Sequence, residues 1–155
     1  MRTPANIAKH PIHPMLVAFP IGLWIFSLIC DLIFRFGSAN PNWPIVAKYT
    51  MVAGIIGALI AAVPGFIDML SLPSSVKPTA LVHMTINLVV VALYLVNAWL
   101  RQGGVSDAAI WLSVLAVILL AISGWLGGKM VYVLGIAVEP APEPSGPERH
   151  SRYGI

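Results

Sequence analysis

The chain has few of the residues on which soluble domains depend. Only 10% of its 155 residues are charged, whereas an ordinary soluble domain has about 25%. Its single cysteine, Cys30, lies inside an apolar stretch and has no second cysteine in the chain to pair with. A soluble globular domain and a disulfide scaffold are therefore both excluded.

The motifs of several reaction classes are also missing. The sequence contains no phosphate-binding glycine loop, no Gly-x-Ser-x-Gly, no Cys-x-x-Cys and no His-Glu-x-x-His. Without Cys-x-x-Cys-His, covalent c-type haem is excluded. The nine lysines and arginines form no basic run, which excludes nucleic acid as a partner. We expect no independent enzyme activity.

Long apolar stretches make up most of the chain. Its mean hydropathy is +0.86, and about 20 apolar residues suffice for a helix to cross the hydrocarbon core. A transmembrane domain is predicted at residues 11–138, between a short polar head at 1–10 and a disordered, proline-rich tail at 139–155. Its spans are predicted at residues 12–36, 44–70, 79–100 and 108–128, followed by a short interfacial segment.

Short connections between these spans predict an all-α, up-down-up-down four-helix bundle in the membrane, with both termini on one side. No internal repeat is recognised in the sequence. By the positive-inside rule, a small excess of basic residues on the terminal side predicts cytoplasmic termini. The basic residues counted are Arg2, Lys9, Lys77 and Lys129 on the terminal side, and Arg35, Lys48 and Arg101 on the other.

Several residues predict how the helices contact each other and the membrane. Small residues at four-residue spacing let membrane helices approach closely, so Gly57 and Gly124 are expected in helix contacts. Asp31 is expected to form an ion pair with Arg101 or Arg35. The tryptophans are interpreted as interface anchors, and they are Trp24, Trp43, Trp99, Trp111 and Trp125.

Two polar stripes follow the helical period. The stripe on the first span is His13, Val17, Pro20, Trp24, Ser27 and Asp31, and the stripe on the third is His83, Asn87, Val90, Tyr94, Asn97 and Arg101. Each stripe is one face of a helix. Because lipid cannot satisfy polar groups, both faces are expected to point into the bundle.

The histidines on these stripes are the candidate functional residues, since ionisable groups at membrane depth are costly and mark functional sites. His13 and His83 lie at matching depths, with Asn87 one turn from His83. Two facing imidazoles predict axial ligation of haem b iron. Alternatively, His10, His13, His83 and Asp68 could together bind a transition-metal ion. Plain hydrogen bonding between helices and a proton relay remain open as other interpretations.

Four segments resemble the DUF2231 family of small bacterial membrane proteins. They are His10-Pro11-Ile12-His13-Pro14-Met15-Leu16-Val17 continuing through Phe19-Pro20-Ile21-Gly22 to Asp31, then Pro64-Gly65-Phe66-Ile67-Asp68, the region of His83 with Asn87, and Gly124-Trp125-Leu126-Gly127-Gly128. The resemblance covers about residues 9 to 138. It implies a four-helix membrane domain that is sometimes found beside redox proteins. The family often has an acidic residue after Gly127-Gly128, where this chain has Lys129.

These observations together predict a multi-pass protein of the bacterial inner membrane. Its histidine-rich rim is expected to bind haem b or a metal ion for electron transfer, with subunits of a larger redox complex as partners. The alternative is a cofactor-free accessory or scaffolding subunit, and a third interpretation is a small transporter or proton-conducting module. The lipid bilayer is a partner in every case, and self-association remains open.

Overall fold

The computed structural model describes residues 3–138 and confirms an all-α bundle of four membrane-length helices. Two short strands precede the bundle, a 3-10 turn at Arg101–Gly103 follows the third span, and a π-helix at Lys129–Val133 ends the fourth. The other elements are β1 (Asn6–Ile7), β2 (His10–Pro11), α1 (Ile12–Leu16), α2 (Ala18–Phe36), α3 (Asn42–Leu70), α4 (Lys77–Leu100) and α5 (Asp107–Gly128).

The first span is built from α1 and α2, which meet at Val17. Pro20 has no N–H to donate to the carbonyl of Leu16, and α1 ends at Leu16. The helical bonding continues past this point, because Val17 N donates to His13 O at 3.1 Å and Ile21 N donates to Val17 O at 3.3 Å. The two helices therefore act as one span, with mean hydropathy 2.2.

The helices form two antiparallel hairpins, α2 with α3 and α4 with α5. Each hairpin is held mainly by its own two helices, and α3 also packs on α4 while α2 packs on α5. The helices α2 and α4 consequently lie diagonally across the bundle and run in the same direction. Their polar stripes meet at the bundle axis, so the predicted inward orientation of both stripes is confirmed.

Three layers of paired side chains join the first span to the third span, which lies diagonally across the bundle. The rings of His13 and His83 are neighbours at one end of the bundle. In the middle, Trp24 stacks on Tyr94 with ring centroids 4.3 Å apart. At the other end, the guanidinium of Arg101 forms two hydrogen bonds with the carboxylate of Asp31, and both side chains are buried.

These layers settle two of the expectations. The ion pair between Asp31 and Arg101 is confirmed, whereas Arg35 pairs on the surface with Asp107 at 3.0 Å. The interface role expected for Trp24 is wrong, because its side chain is only 2% exposed and its Nε1 donates to the carbonyl of Met51 at 3.1 Å. An indole in hydrocarbon needs such an acceptor for its N–H.

The two hairpins correspond to each other at five pairs of positions, although no repeat is recognised in the sequence. The three layers pair positions 13 with 83, 24 with 94 and 31 with 101, a constant offset of 70. In the second helix of each hairpin, the carbonyls of Ala47 and Ala61 correspond to those of Ala109 and Ser123, a constant offset of 62. The bundle is therefore a pseudo-twofold pair of helical hairpins.

The expected glycine contacts are confirmed at one position and wrong at the other. A Cβ added at Gly57 would lie 3.5 Å from the ring of Pro20, so this glycine sits in the contact between α2 and α3. A Cβ added at Gly124 would meet nothing within 4 Å among the described residues. Gly124 lies on an exposed face of α5, so it contributes nothing to packing inside this bundle.

The N-terminal segment is more ordered than the short polar head that the sequence predicts. Thr3 and Ala5 are buried, and β1 pairs antiparallel with β2. The N–H of Ala5 donates to Oδ1 of Asp68 at 2.8 Å, which fastens the segment to the end of α3.

The predicted interfacial segment after α5 contains the π-helix, and the predicted disordered tail at 139–155 lies outside the described residues.

The buried hydroxyl of Tyr94 predicts that its removal raises the stability of the protein. Its side chain is fully buried, and its hydroxyl has no hydrogen-bond partner in the described part of the chain. A buried unsatisfied hydroxyl costs about 1–3 kcal/mol. Tyr94→Phe keeps the stacking on Trp24, and we expect it to raise the melting temperature of the detergent-solubilised protein. A clear fall would mean that the hydroxyl has a partner, such as an ordered water.

Candidate functional site

The candidate site is the layer formed by His13 and His83, at the end of the bundle that also carries β1 and β2. His83 on α4 precedes Arg101, the first residue after α4, by 18 positions, which is about 27 Å of helix at 1.5 Å per residue. The hydrocarbon core is about 30 Å thick. The histidine layer and the ion-pair layer therefore lie near the two opposite borders of the membrane.

His13 is held against the second span by a hydrogen bond, and a glycine in that span leaves room for its ring. Its Nδ1 lies 2.8 Å from the carbonyl oxygen of Ala61, so Nδ1 carries the proton and donates it. A Cβ on Gly65 would lie 2.7 Å from the same nitrogen, so only glycine leaves room for the ring. The other ring nitrogen, Nε2, has no hydrogen-bond partner among residues 3–138.

His83 is held in a corresponding way against the fourth span. Its Nδ1 lies 2.9 Å from the carbonyl oxygen of Ser123, and a Cβ on Gly127 would lie 3.3 Å from its Cε1. Its Nε2 accepts a hydrogen bond from the amide of Asn87 at 3.1 Å. The hydroxyl of Ser123 donates to Oδ1 of Asn87 at 3.0 Å and also lies 2.9 Å from Nδ1 of His83. This network fixes a neutral imidazole with its proton on Nδ1.

The two imidazole rings are neighbours across the bundle axis. Their ring centroids are 6.4 Å apart and their planes are nearly perpendicular, at 89°. Two imidazoles that bind one metal centre from opposite sides, with metal–nitrogen bonds of about 2.0–2.1 Å, have centroids roughly 6 Å apart. The observed spacing therefore has the scale of a shared metal centre. Both rings keep the Nδ1–H to carbonyl bond that typically supports a ligating histidine.

Two other predicted site residues are engaged elsewhere. His10 is exposed in β2, and its Nδ1 is 2.9 Å from the carbonyl oxygen of Ala8. Asp68 accepts the N–H of Ala5 and not an imidazole. Within residues 3–138, no three His, Cys, Asp or Glu side chains are close enough together to hold a metal ion. The structure thus brings His13 and His83 together with Asn87, and it does not add His10 or Asp68 to them.

Four residues that support the histidines are not predicted from the sequence as part of the site. Ala61 and Ser123 act through backbone carbonyls, which every residue type possesses. Gly65 and Gly127 act by having no side chain, and they fall within the segments that carry the family resemblance. In both hairpins the glycine follows the carbonyl acceptor by four residues, and this shared spacing is the sequence signal for the two supports.

The fold and the paired imidazoles define a multi-pass membrane protein with a two-histidine layer at one border of the bilayer. The model of the DUF2231 family, described as a predicted membrane protein, matches residues 9–140. The chain belongs to the DUF2231 family. Searches of curated proteins and of solved structures gave no match.

Proposed function

We propose that His13 and His83 bind one transition-metal centre, either haem b iron or a single metal ion, and that the chain is an electron-transfer subunit of the membrane. The observation that carries the proposal is the pair of neighbouring imidazoles, with ring centroids 6.4 Å apart, each supported by a backbone carbonyl from a different helix. Electron transfer benefits from such fixed ligands, because rigid ligands change little between oxidation states.

The donor chemistry of the site fits such a centre. Neutral imidazole nitrogen is a common ligand for iron, copper and zinc. The carbonyls of Ala61 and Ser123 hold the proton on Nδ1 of each ring and leave the Nε2 lone pairs as acceptors. The lone pair of His13 has no donor among residues 3–138, and that of His83 accepts from Asn87, whose amide a ligand would displace. A bound haem or redox-active metal ion would supply one-electron chemistry. The residues of this chain would fix the two imidazoles and exclude bulk water from the apolar bundle around them.

One observation favours a second candidate, a cofactor-free accessory subunit. The hydrogen bonds of His83, Asn87 and Ser123 already form a closed network. Such a network stabilises contacts between helices without any ligand. On this alternative, His83 joins α4 to α5 and His13 joins α1 to α3, and neither imidazole has a chemical role.

The third interpretation, a proton-conducting module, receives less support from the packing. The stacked rings of Trp24 and Tyr94 lie on the bundle axis between the histidine layer and the buried ion pair. Both rings are at most 2% exposed. A proton path needs a chain of titratable groups or waters, whereas this middle layer consists of apolar ring faces.

The partners and the location follow from the same proposal. A histidine layer at the membrane border is within reach of a redox subunit docked on that face. Lys9, Lys77 and Lys129 lie on the same side as this layer. Cytoplasmic termini in a bacterial inner membrane therefore remain our prediction, and so does a redox complex as partner.

The binding proposal predicts a specific pattern among histidine variants. We expect His13→Ala and His83→Ala each to abolish binding, because the loss of one ligand opens the coordination sphere and leaves the other imidazole alone. The protein would be purified in detergent from cells supplied with a haem precursor and trace metals. A Soret band measures haem, and elemental analysis measures bound metal.

His10→Ala is the matched control, because His10 is exposed and lies outside the pair. We expect this variant to keep the wild-type content of haem or metal. A colourless and metal-free wild-type protein would contradict the proposal and favour the accessory subunit. In that case the same His→Ala substitutions would change only the thermal stability.

A further inference from the structure

The two halves of the histidine layer differ at the position one turn after each histidine. Asn87 lies one turn after His83 and donates to its Nε2. The corresponding residue in the first hairpin is Val17, one turn after His13, because 17 and 87 share the offset of 70 that relates the two stripes. Valine has no polar group, and in the described chain no other residue donates to Nε2 of His13.

The residues behind the rings differ in the same direction. Ser123 supplies a hydroxyl that donates to Oδ1 of Asn87 and so orients the amide N–H toward His83. The corresponding residue in the first hairpin is Ala61, which offers only its carbonyl. In the second half of the layer, Asn87, oriented by Ser123, therefore caps Nε2 of the imidazole with a hydrogen bond. The first half has no such cap among the described residues.

We propose that Asn87 is a positioning residue that caps the ligand nitrogen of His83, which makes His13 the primary ligand of the site and His83 the conditional one. This inference rests on the proposed function. A metal centre can bond to Nε2 of His13 without breaking any hydrogen bond. It can bond to Nε2 of His83 only after the amide of Asn87 has turned away, so Asn87 opposes complete ligation and slows it.

The expected effect has the size of one hydrogen bond. When the amide of Asn87 is displaced, its hydrogen bond to Nε2 of His83 is lost. The loss of a typical hydrogen bond lowers the affinity for the ligand by roughly threefold to tenfold. Asn87→Val, which copies the residue at position 17, removes the cap. We therefore expect it to tighten binding by roughly threefold to tenfold and to speed loading.

The pseudo-symmetry provides a reciprocal variant. Val17→Asn places an amide one turn after His13, where it can donate to Nε2 of that ring. We expect it to weaken binding by a similar factor. The double variant, Val17→Asn with Asn87→Val, exchanges the two halves, and we expect its affinity to return to near the wild-type value.

The experiment titrates the full-length protein in detergent with two separate probes, haemin and Cu²⁺. The four proteins compared are wild type, Asn87→Val, Val17→Asn and the double variant. Haemin binding is followed by the Soret band and Cu²⁺ binding by the visible spectrum, so the two titrations distinguish a haem site from an ion site. Asn87→Ala replaces Asn87→Val if the valine variant does not fold.

A second measurement uses the protein without any ligand. Side-chain ¹⁵N resonances of histidine report whether a ring nitrogen accepts a hydrogen bond. We expect Asn87→Val to shift the Nε2 resonance of His83 and to leave that of His13 in place. A residue with a purely structural role would change the melting temperature without this selective shift.

The outcomes separate this inference from the proposed function. If wild type and Asn87→Val bind the same probe with equal affinity and equal rate, the capping role of Asn87 is wrong, and the two-histidine site stands. If none of the four proteins binds haemin or Cu²⁺, both proposals are wrong. If Asn87→Val binds tighter and Val17→Asn binds weaker, the capping role is supported.

Discussion

Asp31→Ala is expected to destabilise the protein more than any other single substitution considered, by about 3–5 kcal/mol. The guanidinium of Arg101 has its two NH groups bonded to this carboxylate and its Nε bonded to Oδ1 of Asn97 at 2.8 Å. Its side chain is 2% exposed. Without Asp31, a buried positive charge loses its counterion at the border of the hydrocarbon. Thermal or denaturant unfolding in detergent measures the loss.

Two comparisons test the cause. Arg35→Gln breaks the exposed pair between Arg35 and Asp107, in which the side chains are 52% and 70% exposed, and it should cost at most about 1 kcal/mol. Replacing both Asp31 and Arg101 by leucine removes the pair without leaving a lone charge, and we expect it to recover most of the stability. A double variant as unstable as Asp31→Ala would show that the pair contributes more than charge compensation.

Gly54→Ala is expected to have the second largest effect, although it adds only one methyl group. The new Cβ would lie 2.5 Å from Nε1 and 2.6 Å from Cδ1 of Trp24. The indole cannot easily move away, because it is stacked on Tyr94 and bonded to the carbonyl of Met51. Overpacking of this kind typically costs about 1–3 kcal/mol, and the melting temperature in detergent should fall accordingly.

The matched controls are Gly22→Ala and Gly124→Ala. A Cβ at either position would meet nothing within 4 Å in the described part of the chain. Alanine is a better helix former than glycine by about 1 kcal/mol, so we expect these two variants to be as stable as wild type or more so. If Gly54→Ala behaved like the controls, the close contact between α2 and α3 at the indole would be wrong.

The fold class follows from the sequence with little ambiguity. Spans of mean hydropathy 2.0 to 2.4 leave only helices as a way to satisfy the backbone in lipid. The inward faces also follow, since a stripe of polar residues at helical spacing has no stable partner in the lipid. Trp24 shows the limit of this reasoning: tryptophan is common both at interfaces and in cores, and its residue type does not distinguish the two.

For the candidate site, too, some features follow from the sequence and others only from the tertiary structure. The sequence by itself determines that His13 and His83 lie on inward faces at matching depths, because the helical period and span length fix both. Only the tertiary structure decides that the first and third spans are diagonal, so that these two rings meet, while Asp68 binds the N-terminal segment. It also supplies the carbonyls of Ala61 and Ser123 as acceptors. The physical reason is that residue type marks side-chain polarity, whereas a backbone carbonyl has no sequence signature and becomes an acceptor only where packing brings a donor to it.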